Sequence, residues 1–190
     1  MLRFKHFISW LTLAAAMTGV CGQAAATPLY HVDIDTASLG SGPAFLDLYF
    51  LGLAGAPDAT ATVTDLTGAV TGGAPGPFVF SNAGGGGELV QAIQLGGMFS
   101  FDVSFTMEPG NTGTTFGWAL FDTTHYLGVD GDLGHLFLQP DAPAGQQVAV
   151  DAPAGQLSRV TAIPEPSTAA LMLVAMLAMM AWRGQGMRRR

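Results

Sequence analysis

Residues 99–106 alternate without a fault: Phe99, Phe101, Val103 and Phe105 occupy one face, and Ser100, Asp102, Ser104 and Thr106 the other. A period of two marks a strand with one buried and one wet face. Val32 and Ile34 alternate in the same way with His31, Asp33 and Asp35, and Leu46, Leu48 and Phe50 with Asp47 and Tyr49. Further short strands are predicted at residues 59–66, 78–81, 89–95, 115–121, 133–138, 147–150 and 157–162, giving a series of about ten. Residues 88–94 also fit two helical turns, so both readings stand there. Glycine- and proline-bearing turns at 72–77, 84–87 and 108–111 separate strands, and no segment from 27 to 163 holds a long 3.6-residue period. Short strands with frequent turns predict an all-β fold, an antiparallel β-sandwich of jelly-roll-like type. Phe45, Phe50, Phe99, Phe101, Phe105, Phe116 and Phe121 are its expected core, each worth roughly 1.5–3 kcal/mol on burial.

Two largely apolar stretches break this pattern, one at each end, and the second is unbroken. Residues 7–20 follow Arg3 and Lys5 and lead to Ala24-Ala25-Ala26. These are the charged, apolar and A-x-A parts of a secretory signal, with Ala24 and Ala26 framing cleavage after Ala26. A retained membrane helix is the alternative, but the run is short and small residues end it. A lipoprotein signal would use Cys21, yet Val20 stands where Gly or Ala normally precedes the cysteine. The second run, residues 169–182, follows Pro164-Glu165-Pro166 and precedes Arg183, Arg188, Arg189 and Arg190. At 1.5 Å per residue it reaches about 21 Å, short of the ~30 Å hydrocarbon core. It crosses only with bilayer thinning or arginine snorkelling. Cations beside both runs hold both ends on the cytoplasmic side and leave the middle outside. The chain thus divides into a signal at 1–26, a β-domain at 27–162 and a tail at 163–190.

Charge sharpens the division. The 190-residue chain carries a formal −7, yet Arg159 is the only Lys or Arg between Lys5 and Arg183. Thirteen of the fourteen acids lie in residues 27–163, so that stretch carries thirteen negative charges against one positive, −12. Such a segment cannot supply the phosphate contacts of a nucleic-acid binder. With Cys21 its only cysteine, the chain has no disulfide or thiolate metal site in the middle. No G-x-S-x-G occurs, the middle has no lysine, and no Lys-Ser/Thr follows the glycine run 84–87, so nucleophile and phosphate-cradle signatures are absent.

Some residues remain as candidate chemistry. Asp130-Gly131-Asp132, with Asp122 nearby, could wrap a weakly held Ca²⁺, although the further ligands of an EF-hand loop are missing. Asp-Gly is equally the chemistry of a tight turn. His31, His125 and His135 lack H-E-x-x-H spacing, and half-buried or surface roles are the simpler reading. Asp33 and Asp35, with Asp102 or Glu108, could flank a glycosidic bond, but acids on the wet face of strands explain them more simply. Trp118, Tyr49 and Tyr126 are the candidate platforms for sugar rings, with Trp118 inside an apolar run that favours burial. Asp141-Ala142-Pro143-Ala144-Gly145-Gln146 recurs as Asp151-Ala152-Pro153-Ala154-Gly155-Gln156, which reads as a repeated turn between neighbouring strands.

The tail, Pro164-Glu165-Pro166 followed by a Leu/Ala/Met-rich run and Arg183, Arg188, Arg189 and Arg190, resembles the PEP-CTERM sorting signal of Gram-negative bacteria. Residues 30–36, 99–105 and 129–132 are similar to segments of one uncharacterised PEP-CTERM subfamily, which implies no activity. The resemblance implies passage through the Sec translocon and signal peptidase, an inner-membrane intermediate held by the C-terminal helix, and processing by exosortase. It further implies delivery to the cell surface or an exopolysaccharide matrix. The expectation is a non-enzymatic surface protein without a cofactor other than weak Ca²⁺; an extracellular carbohydrate-binding module is the alternative.

Overall fold

Wherever apolar residues recur at every second position the chain is extended. The computed structural model describes residues 28–73, 76–127, 131–143, 145–152 and 157–164. Within them lie β1 (Leu29–Asp35), β2 (Pro43–Gly52), β3 (Ala59–Thr67), β4 (Phe78–Ser81), β5 (Gly86–Gln94), β6 (Met98–Met107), β7 (Thr114–Phe121), β8 (Asp132–Leu138), β9 (Val148–Asp151) and β10 (Ser158–Ile163). A short 3-10 turn, Ala37–Leu39, follows β1. The segment open to two readings is strand β5, where Gln91 and Ile93 face inward and pairing along β2 settles the conformation.

The strands form two five-stranded antiparallel sheets, β10-β1-β6-β3-β4 (sheet A) and β5-β2-β7-β8-β9 (sheet B). The first six strands pair as nested hairpins: β1 with β6 in sheet A, β2 with β5 in sheet B, and β3 with β4 in sheet A. From β7 the chain runs as a meander, β7-β8-β9, beside β2, before β10 returns to sheet A against β1. The two copies of the Asp-Ala-Pro-Ala-Gly-Gln repeat fall after β8 and at the end of β9. The first joins neighbours within sheet B, and the second opens the crossing to sheet A.

The sheets face each other across one apolar core. Phe101 of β6 meets Phe116 and Trp118 of β7, with ring centroids 6.2 and 6.1 Å apart in edge-on geometry, the arrangement aromatic pairs prefer. Two of the expected core phenylalanines are not in it. Phe45 and Phe121 stack on each other at 5.2 Å on the outer face of sheet B. Parity decides this: Leu46, Leu48 and Phe50 point inward on β2, as do Phe116, Trp118 and Leu120 on β7, so the odd neighbours point out.

Leu29 at the start of β1 pairs with Ile163 at the end of β10. The chain therefore enters and leaves the sandwich at one edge, with Pro164 exposed directly beyond β10. Among the described residues no helix is long and apolar enough to cross a membrane. The N-terminal segment with Ala24 and Ala26, Asp130, Glu165, Pro166, the C-terminal apolar run and Arg183, Arg188, Arg189 and Arg190 lie outside the described residues.

Candidate functional site

The outer faces of the two sheets differ in chemistry. On sheet A, β3 and β6 present threonine and serine, and Thr67 bonds Ser100 at 2.8 Å. His31 lies there between two carboxylates, its Nδ1 2.6 Å from Asp102 Oδ1 and its Nε2 3.1 Å from Asp33 Oδ1. The Asp102 hydrogen bond is the main cause that holds the His31 pKa above its usual value, with Asp33 adding to it. Asp33 and Asp102, two of the acids that could have flanked a glycosidic bond, are thus engaged with a histidine. Asp35 accepts the Ala37 N–H instead.

Sheet B carries a row of polar and aromatic side chains across its outer face. In register, Glu88 of β5 stands opposite Tyr49 of β2, Tyr49 opposite Gly117 of β7, Gly117 opposite His135 of β8, and His135 opposite Asp151 of β9. The next row holds Val90, Asp47, Ala119 and Asp132. Tyr49 reaches over Gly117, where any Cβ would collide with its phenol ring. Its hydroxyl stands 2.8 Å from His135 Nε2, which is also 3.2 Å from Asp132 Oδ2. Without a proton on Nε2, that nitrogen accepts a hydrogen bond from the Tyr49 hydroxyl; carrying one, it donates to the carboxylate.

Asp132 and His135 are three residues apart, an odd spacing that puts residues of a regular strand on opposite faces. A shift in register between Trp118 and Ala119 removes the conflict: Gly134 opposes Trp118 while Asp132 opposes Ala119. The extra residue is a bulge, which re-aims the side chains beyond it. Leu133 stays fully buried, Asp132 and His135 share the wet face, and Gly134 leaves room for the Trp118 ring.

Burial first, then the charge of Asp132, raises the Tyr49 hydroxyl pKa far above its usual range, so the hydroxyl keeps its proton and can donate a hydrogen bond. Burial, with the nearby Glu88 and Asp132 charges, pushes the Asp47 carboxyl up to about 6. Its Oδ1 is shielded and has no hydrogen-bond partner among the described residues. Asp47, Glu88, Asp132 and Asp151 thus share a face, while the single cation of the domain, Arg159, sits on β10 of sheet A.

Of the residues proposed for Ca²⁺, Asp122 and Asp132 are separated by role. Asp122 closes a turn after β7, its Oδ1 accepting the N–H of Thr124 at 2.6 Å, the N–H of His125 at 2.7 Å and the Thr124 hydroxyl at 2.9 Å. Those backbone bonds lower its pKa. Asp132 belongs to the Tyr49–His135 chain, and Gly131 has a φ of 93°, a left-handed conformation that favours glycine. Among the described residues no group of three or more His, Cys, Asp or Glu is placed to hold a metal ion.

Of the proposed sugar platforms, Trp118 is fully buried and cannot serve, whereas Tyr126 is 63% exposed and packs on Phe121 at 6.0 Å. His135 stacks on Phe137 at 5.6 Å. The Tyr49–His135 pair spans 86 positions and was invisible to spacing arguments. Its only local signals are Gly117 and Gly134 inside strand patterns, which mark close approach or a bulge. A depression of about 340 Å³ lined by Asn111, Leu138, Pro140 and Asp141 contains one ionisable group and none of these residues. Compared with protein-family models, curated proteins and solved structures, the chain matches none.

Proposed function

We propose that this is a non-enzymatic exported protein, a jelly-roll-like domain delivered to the envelope or exopolysaccharide matrix of a Gram-negative bacterium after exosortase processing. The observation that carries the reading is the order of its tail, Pro164-Glu165-Pro166, apolar run, arginines, in a chain that opens with a signal-like segment. The nested pairing of β1–β6 in alternating sheets supports the jelly-roll description. The Leu29–Ile163 pair supports the topology, because Ala26 lies three positions before Leu29 and Pro164 one after Ile163. Two membrane-directed segments leaving one edge tether the domain on one side and leave its faces free. A charge of −12 keeps such a domain soluble and repels anionic polymers.

The test is an epitope placed in the open Gly84-Gly85 turn, with surface labelling of intact cells. Full-length protein is expected at the surface or in the matrix, and a chain lacking residues 164–190 is expected to lose that retention. Identical distribution of both would contradict the sorting role of the tail.

A second reading, an extracellular carbohydrate-binding module, is favoured by the outer face of sheet B. Tyr49, Tyr126, His135 and Phe137 gather there with hydrogen-bonding carboxylates, and sugars are held by ring faces and polar side chains together. Polysaccharide pull-down with the full-length protein tests it; retention on no polymer would count against it.

A further inference from the structure

We propose that the outer face of sheet B binds a glycan bearing protonated amino groups, an amino-sugar polymer with free amines. The inference rests on the carbohydrate-binding reading and names the ligand class. Rings supply half of the argument. Tyr126 is 63% and Phe137 37% exposed, and Phe137 lies flat against His135, their planes 23° apart. With the half-buried Tyr49 they share the outer face of sheet B, and exposed rings beside polar groups suit pyranose rings. Neighbouring strands lie about 4.8 Å apart, so the row from Glu88 on β5 to Asp151 on β9 spans a few sugar units.

Charge supplies the other half. Asp47, Glu88, Asp132 and Asp151 sit on this face, and among the described residues none has an arginine or lysine beside it, since Arg159 is on the other sheet. The acids of sheet A are handled differently, with Asp33 and Asp102 sharing His31. Among the described residues the only basic partner on the outer face of sheet B is His135, held by Asp132 at 3.2 Å. Asp47 is repelled by Glu88 and Asp132 and has a shielded oxygen with no donor among the described residues. A folded chain keeps such an arrangement at a cost to its own stability, which is common where a surface is shaped for a ligand. An incoming ammonium relieves that repulsion, whereas a uronic-acid or sulfated polymer adds to it. Ammonium–carboxylate hydrogen bonds are the strong, charge-assisted kind, and the rings discriminate a sugar from a bare cation.

The experiment is calorimetric titration of full-length protein in detergent at pH 6.5. The probes are a glucosamine hexamer, its fully N-acetylated counterpart, a neutral glucan hexamer and poly-lysine of matched charge. The glucosamine hexamer is expected to bind best. Removing two carboxylates from sheet B (Asp47→Asn with Asp132→Asn) should weaken it about tenfold or more. Removing two from sheet A (Asp33→Asn with Asp102→Asn) takes away the same net charge and should change it less than about twofold. Tyr126→Ala, at an exposed ring, should weaken it about two- to tenfold. Thermal unfolding of each variant shows that it is folded. Equal binding of the N-acetylated or neutral hexamer would overturn the amine requirement and leave the carbohydrate-binding reading intact. Binding of no hexamer would overturn both. Poly-lysine bound as tightly, with equal losses from either carboxylate pair, would show a diffuse polyanion effect and overturn the site.

Discussion

Replacing Asp47 by Asn should stabilise the protein at neutral pH and lose that advantage in acid. In the folded chain burial and the charges of Glu88 and Asp132 raise the Asp47 carboxyl from 3.8 to about 6. A raised acid contributes stability that is fully present below its unfolded value and is lost as pH climbs through the folded one. The window therefore runs from about pH 4 to about pH 6. A difference of roughly two pH units at 1.36 kcal/mol each sets an upper bound of about 3 kcal/mol. Because the group is only half-buried, solvent screening brings this down to roughly 1–2 kcal/mol. Urea unfolding of wild type and Asp47→Asn, followed by far-UV circular dichroism at half-unit steps from pH 4 to pH 8, measures it directly. The variant should be more stable by that amount at pH 7 and level with wild type near pH 4. A constant difference across the range, or none at pH 7, would refute the claim that a desolvated and repelled carboxylate sits there.

Phe101→Ala should cost about 3–5 kcal/mol, because the ring is fully buried between the sheets, and Phe45→Ala clearly less, because its ring lies on the wet face; equal losses in urea would contradict the parity assignment. Gly117→Ala drives a methyl group into the Tyr49 ring and should destabilise by about 1–3 kcal/mol, read as a lower urea midpoint. His31, raised chiefly by its bond to Asp102, gives stability that is full below the ordinary histidine value and fades as pH rises through the raised one. Wild type should therefore outperform His31→Gln in acid and converge with it in alkali when unfolding is followed against pH.

Much of the fold is legible because alternation is a local property. Residues 99–106 announce β6 through side chains two apart, and the same holds for β1 and β2. Phe45 and Phe121 show the limit: aromatic character suggested burial, while their own strands' parity placed them outside. Which strand lies beside which is not local, and nothing in the β2 pattern says that β7 and β8 will follow it in the sheet. The Tyr49–His135–Asp132 chain depends on that order and on a bulge that reverses the facing of Asp132. Gly117 and Gly134 were the visible traces, but a glycine in a strand marks room without saying for what. Asp122 was legible only as an acid near a turn; its three accepted bonds give it a structural task there.

The most direct measurement is intact-mass spectrometry of the protein recovered from the cell surface or matrix. The expected species is a chain that begins at Thr27 and ends near Pro164-Glu165-Pro166, without the C-terminal arginines. A surface protein running from Met1 to Arg190, or a folded full-length chain confined to the cytosol, would contradict it.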